Sequence, residues 1–234
     1  MRDPLGGRGE ETLIPPNPPR GRELVVTNLG LAPYAETLAL QRELAAARIQ
    51  GTIGDQLLLC EHPPVVTLGR TAKSQHVTAP LPAGVELFEV ERGGDVTFHG
   101  PGQLVGYPII DLSQHKRDLH WYLRELEATL IDALATFGIP AKPRAGLTGV
   151  WTEGDRKIAS IGVHARQWVT WHGFALNVTT NLSYFDLMVP CGIQGVDMTS
   201  MARERPDLGV DVATAAAAIT SAFAERFTLC AIFG

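Results

Sequence analysis

Residues Arg92 to Asp111 read RGGDVTFHGPGQLVGYPIID, and the fold turns on how that run divides. Val96 and Phe98 alternate with Asp95, Thr97 and His99, the period-two pattern of a half-buried strand. Gly100-Pro101-Gly102 then turns the chain, and Leu104 to Ile110 is apolar again. Two strand-like runs across a short Gly/Pro loop predict a hairpin. Gly93, Gly94, Gly100, Gly102 and Gly106 also leave backbone uncovered by side chains, so a ligand could approach closely. A Gly-rich turn without chemistry fits the same spacing.

Upstream, Glu23 to Asn28 (ELVVTN) reads as a first strand. Tyr34 to Ile49 has helical composition, with Pro33 near its first turn. Leu57 to Cys60 and Val65 to Leu68 are short strands separated by Glu61-His62-Pro63-Pro64, and Val85 to Glu91 alternates into the opening run. Gly69 to Gly84 is a polar loop, long enough to imply mobility or function. Downstream, the apolar residues of Asp118 to Phe137 recur at three and four, and Gly138 and Pro140 end that helix. Gly149 to Trp151 is a short strand. KIASIGVHAR, from Lys157, forms another, which turns at Gln167-Trp168 into VTWHGFALNV. Val210 to Leu229, rich in Ala, predicts a closing helix, and Cys60 and Cys230 read as packing cysteines. Strands in runs with a few helices between them predict an α+β fold, a mixed sheet flanked by helices, over a doubly wound parallel one. Residues 1–21 are dominated by Pro, Gly and charge, which predicts a flexible N-terminal extension before one domain spanning residues 22–234.

The net charge of −5 excludes the overall basic footprint of a nucleic-acid binder. A partner with an acidic surface would need a local basic patch. The three cysteines are far apart and form no CxxC pair, which argues against a zinc site or a disulfide framework. HExxH is absent, and no GK[ST] follows Gly93-Gly94, so neither a metal nor a nucleotide cofactor is expected. Without a membrane-length apolar run or a secretory leader, the expectation is a cytoplasmic protein away from membranes.

Cys191, between Pro190 and Gly192, sits in a setting that suits a nucleophile, though buried packing is the commoner fate of a cysteine. A free thiol needs a neighbouring cation or base to ionise at neutral pH. Lys157 opens an apolar strand. It either reaches solvent or lies against such a thiol, as a base when neutral or as a stabilising charge when protonated. His99 and His172 each precede a glycine in a β-like segment. Each is a structural histidine, a polar group in a pocket or a base for Cys191. His62, His76, His115, His120 and His164 show no informative partners in sequence.

RGGDVTFHGPGQLVGYPIIDL, KIASIGVHAR, HGFALNV and PCGI, in this order, resemble the lipoyl(octanoyl) transferases. That resemblance spans about residues 23 to 229. It implies the fold shared by biotin and lipoate protein ligases. It further implies octanoyl transfer from octanoyl-acyl carrier protein to a lysine of lipoyl domains, in 2-oxoacid dehydrogenase complexes and the glycine cleavage H protein, by a monomer without a cofactor. Residue by residue it puts the acyl-thioester cysteine at Cys191 and the lysine that tunes it at Lys157. Acyl-binding residues would be Arg92, Gly93, Gly94, Asp95, Val96, Thr97, Phe98 and His99, then Ser160, Ile161 and Gly162, then Gly173, Phe174 and Ala175. His172 is a possible auxiliary. Gly93, Gly94 and Gly173 would leave room for the acyl chain. Three rivals remain: an ATP-dependent lipoate or biotin ligase, a cysteine hydrolase pairing Cys191 with His99 or His172, and a non-catalytic lipoyl-domain binder.

Overall fold

The computed structural model describes residues 22–188 and 196–234. Cys191 and its PCGI neighbours lie outside the described residues, as does the predicted extension, residues 1–21. In chain order the elements are β1 (Arg22–Leu31), α1 (Tyr34–Ile49), β2 (Asp55–Glu61), β3 (Val65–Leu68), β4 (Glu86–Glu89), β5 (Val96–His99), β6 (Gln103–Ile109) and α2 (Leu119–Thr136). There follow β7 (Ala141–Arg144), β8 (Leu147–Thr152), β9 (Lys157–Arg166), β10 (Val169–Asn177), α3 (Met201–Glu204), α4 (Val212–Phe227) and β11 (Leu229–Phe233).

Eight strands form one sheet in the order β11-β1-β2-β6-β10-β9-β8-β7. β1 runs parallel to both its neighbours and the remaining pairs are antiparallel. This is the mixed sheet the sequence predicts. β2 is apolar along its length because both faces are covered. Leu57 and Leu59 pack with α2 and α4 residues such as Leu126, Leu130, Ile219 and Phe223. Leu58 and Cys60 pack on the other face beneath Leu40, Leu44 and Ala45 of α1. α2 is set by its buried positions Tyr122, Leu126, Leu130 and Ala133 and by Asp118, whose side chain accepts from the His120 and Trp121 N–H groups.

The predicted hairpin does not form. β5 pairs with β3 in a separate sheet, β4-β3-β5, whereas β6 lies between β2 and β10 in the large one. The intervening turn is sewn to other elements. Gly102 N–H donates to Glu61 Oε2 at 2.6 Å, and its carbonyl accepts from Val178 and Thr179 N–H groups at 3.1 and 2.8 Å. Gly100-Pro101-Gly102 is therefore a crossover between sheets.

Two further corrections concern the C-terminus. The last helix ends at Phe227, where Thr228 takes a left-handed conformation, and β11 follows. Cys230 thus lies exposed on an edge strand, while Cys60 packs as expected. The β9–β10 turn falls where predicted, with Gln167 and Trp168 at φ 51° and 67°, matching a two-residue hairpin. Among the described residues no helix is long and apolar enough to cross a membrane.

Candidate active site

β5, β9 and β10 converge with the Arg92–Gly94 turn on a cavity of about 470 Å³, its mouth included. Asp95, Val96, Thr97 and His99 line one side, and Ser160, Ile161 and Gly162 of β9 another. His172, Gly173, Phe174 and Ala175 of β10 supply the rest, with Arg92 and Gly94. Thirteen of the predicted pocket positions are thereby brought together.

Two of the predicted residues stand elsewhere. The Phe98 ring stacks on Tyr184 at 4.3 Å and meets Phe185 edge-on in a separate apolar cluster, because strand alternation turns it away from Thr97 and His99. Gly93 lines an adjoining groove with Arg70, Leu119, His120, Leu123 and Thr148. Gly94, Ile161 and Gly162 are common to groove and cavity, so the two are neighbours.

Gly173 lines the cavity, and its lack of a side chain is also required by β6. A Cβ there would stand 2.2 Å from the Gly106 carbonyl oxygen and 2.6 Å from Pro108 Cδ. The β6–β10 approach requires glycine. Gly162 likewise meets the Gly93 carbonyl, at 2.8 Å, and lets the Arg92–Gly94 turn close over β9. Gly93 N–H donates to the Val163 carbonyl at 2.8 Å.

Polar groups around the cavity are buried and mostly paired. Arg92 donates from Nη2 to the Thr67 carbonyl and Oγ1 at 2.7 and 2.8 Å. His99 Nδ1–H donates to Gln103 Oε1 at 2.8 Å, Gln103 Nε2 to Asn177 Oδ1 at 2.9 Å, and Asn177 Nδ2 to the Thr199 carbonyl at 3.0 Å. Thr199 N–H in turn donates to the Lys157 carbonyl at 2.9 Å. One hydrogen-bonded chain thus runs from the cavity to Lys157. Burial pushes His99 and His172 down to about 3, so both rings are neutral near pH 7. The 3.9 Å approach of His172 Nε2 to Glu91 is accordingly not an ion pair. His172 has φ 54° inside β10, and its buried Nε2 has no hydrogen-bond partner among the described residues. A left-handed, non-glycine residue in a strand is strained, a mark that accumulates at functional sites.

Sequence reading missed Tyr34, Val105 and Tyr107, which also line the cavity. Tyr107 lies at a β6 position facing α1 with Val105, a pairing that alternation along QLVGYPI could have shown. Nothing local marks Tyr34. His62 has partners too: its Nδ1–H donates to the Ala32 carbonyl at 2.7 Å, leaving Nε2 to accept from Tyr107 O–H at 2.8 Å. His76 Nδ1–H donates to Asp95 at 2.7 Å, tying the Gly69–Gly84 loop to the cavity wall.

Lys157 is only 1% exposed, so the solvent-reaching alternative fails. Nζ donates to the Thr148 carbonyl at 3.3 Å and stands 5.0 Å from the Trp151 ring centre. Its backbone N–H donates to the Asp197 carbonyl at 2.8 Å, and Lys157 bridges Met198. At the other end, Val77 bridges Met188 and Thr78 N–H donates to the Leu187 carbonyl at 2.9 Å. Cys60 is an unsuitable nucleophile because burial pushes its thiol up to about 12.

The model of the lipoyl protein ligase A/B catalytic-domain family matches residues 33–224. The chain belongs to that family. An octanoyltransferase of Solibacter usitatus is 54% identical over 185 residues, covering 77% of this chain and 83% of that one. An octanoyltransferase of Gloeobacter violaceus is 50% identical over 199 residues, covering 85% and 87%. Among solved structures, a bi-partite lipoate protein ligase from Thermoplasma acidophilum has a TM-score of 0.72 at 16% identity, covering 91% of this chain and 87% of that one. That likeness shows the shared catalytic fold. All the cavity and groove segments lie inside the span matched to the ligase A/B family.

Proposed function

We propose that this family member carries an octanoyl group from an acyl-carrier-protein thioester to a lysine of lipoyl domains, through a thioester on Cys191. The accepting proteins are the lipoyl domains of 2-oxoacid dehydrogenase complexes and the glycine cleavage H protein. The relatives' octanoyltransferase activity and the matched family support acyl transfer in protein lipoylation.

In the first step the Cys191 thiolate attacks the donor's carbonyl carbon. The new C–S bond forms as the donor's C–S bond breaks, and the carrier thiol leaves. In the second, the acceptor ε-amine attacks the enzyme thioester. An amide forms, the Cys191 sulfur leaves and the amine loses a proton. Thioester exchange is nearly balanced and amide formation is downhill, so ATP is not consumed. Two protein substrates use one site in turn, as in ping-pong kinetics. Lys157 takes the thiol proton, passes it to the departing carrier thiolate, and so is free to take a proton from the attacking amine in the second step. The cavity holds the chain, whose methylenes contribute about 0.8 kcal/mol each when buried.

The observation that carries this reading is the anchoring of both described ends flanking Cys191. Met188 is held against the loop that His76 ties to Asp95, and Met198 against Lys157. The described residues on either side of Cys191 are thereby fixed, one at the loop beside the cavity and one at the lysine. Incubation with octanoyl-carrier protein, followed by intact-protein mass spectrometry and peptide mapping, is expected to show one octanoyl adduct, on Cys191. An adduct elsewhere, or none, removes the mechanism.

A further inference from the structure

Glu127 is a buried carboxylate that the transfer chemistry does not use. It lies on α2, 1% exposed, one layer behind the lysine. Oε1 accepts from Gly149 N–H of β8 at 3.0 Å. The Arg124 guanidinium approaches Oε2 to 2.6 Å, but without hydrogen-bond geometry, since that oxygen has no hydrogen-bond partner among the described residues. Burial pushes the Glu127 carboxyl up, against the pull of the Gly149 N–H and of the Arg124 and Lys157 charges.

Gly149 explains what the carboxylate is for. Its φ of +133° disfavours any side chain, and the β8–β9 register shifts between Val150 and Trp151. A Cβ at Gly149 would lie 2.7 Å from Lys157 Cε and 3.2 Å from Nζ. The neighbouring Thr148 carbonyl accepts from Nζ at 3.3 Å. The Thr148–Gly149 backbone is therefore the surface on which the end of Lys157 rests. A glycine at such a dihedral is the easiest place for that backbone to rotate. Without Glu127, the Gly149 N–H would be a buried donor lacking its acceptor, which favours such rotation.

We propose that Glu127 is the positioning residue of Lys157: it anchors the Thr148–Gly149 backbone and so holds the lysine Nζ in its working place. This rests on the reading of Lys157 as the partner of Cys191. Steady-state kinetics, and the rate of Cys191 alkylation by iodoacetamide at fixed pH, test it in Glu127→Ala and Glu127→Gln, each with and without Lys157→Ala. Glu127→Ala is expected to lower kcat about tenfold or more, with KM for donor and acceptor within about twofold. It should also slow alkylation. Glu127→Gln, which retains an acceptor oxygen for the Gly149 N–H, should recover kcat to within about threefold of the wild type. In the Lys157→Ala background, Glu127→Ala should change alkylation less than about twofold, because residues acting as a unit are not additive.

An unchanged kcat in Glu127→Ala, an undiminished effect without Lys157, or a Gln variant no better than Ala would each overturn the assignment. Should Glu127→Ala fail to fold, Glu127→Met, which preserves volume without the acceptor, is read in its place. If Lys157→Ala alone leaves kcat and alkylation unchanged, the Cys191/Lys157 reading falls. If Lys157→Ala is impaired but the Glu127 effect is additive, only the positioning role falls.

Discussion

The two faces of the eight-stranded sheet bury different things. Toward α2 and α4, β2, β6 and β10 present Leu57, Leu59, Leu104, Phe174 and Leu176 to a continuous apolar core. Toward α1 the same strands present Leu58, Cys60, Val105, Tyr107 and Ala175, and that face runs into a cavity rimmed by Arg92, His99 and His172. The first face is held by non-directional burial. The second keeps buried polar groups, and each needs a specific partner. Apolar packing dominates the first side and buried polar groups the second, with Phe174 common to the core and the cavity.

That division can be broken most decisively at the chemical end. Lys157→Ala should lower octanoyl transfer by about 10²–10⁴-fold, the usual span for a lost acid–base group, in a protein whose thermal unfolding stays cooperative. A rate within a few-fold of wild type would remove the lysine from the chemistry. Leu130→Ala, under α2 and wholly buried, should instead cost about 2–5 kcal/mol of stability. At a temperature where the variant is folded, its KM for octanoyl donor should be unchanged. A raised KM would show that the faces are coupled.

On the cavity face, Ala175→Leu adds bulk where the acyl chain is expected to lie. The ratio of kcat/KM for octanoyl over hexanoyl donors should fall about tenfold, since a methylene or two of pocket room is worth about 1–3 kcal/mol. Unchanged selectivity would move the acyl chain elsewhere.

The smallest effect concerns pH. Burial lowers His62, His99 and His172 in the folded state, the last two to about 3, while unfolded histidine titrates near 6.5. Between those values the unfolded chain binds more protons, so folding stability is full above about pH 6.5 and declines as pH falls toward 3. Urea unfolding at pH 7 and pH 5 should show this loss, and His172→Gln should reduce the difference. An equal difference in the variant would mean that His172 titrates normally in the folded protein.

The candidate site residues came from the resemblance, carried residue by residue on ordered motifs, while strand alternation and glycine punctuation showed only the strands and turns that hold them. Asp95, Val96, Thr97 and His99 reach the cavity together with Ser160 to Gly162 and His172 to Ala175. The resemblance marks a continuous run that includes Phe98, whereas a strand sends alternate side chains to opposite sides, so the Phe98 ring points into a separate cluster. The hairpin failed for another local reason. A Gly-Pro-Gly turn looks the same whether its flanking strands pair with each other or leave for different sheets. β11 was not foreseen, and the predicted helix overran into Leu229, because five residues after an Ala-rich segment carry little periodicity of their own and β1 supplies their ladder.

By itself the sequence determined most element types, the mixed α+β class and, through four ordered motifs, the family resemblance with the candidate residues it implies. These follow from side-chain periodicity, turn chemistry and residue identity, which act over a few neighbours. Only the tertiary structure decided that β5 and β6 part company, that Tyr34 and Tyr107 join the cavity, that Lys157 is buried against Thr148, and that Glu127 stands behind it. Those facts depend on strand order and on contacts between distant residues. Hydrogen bonds such as Glu127 to Gly149 and Asn177 to Thr199 exist only once the chain has closed on itself.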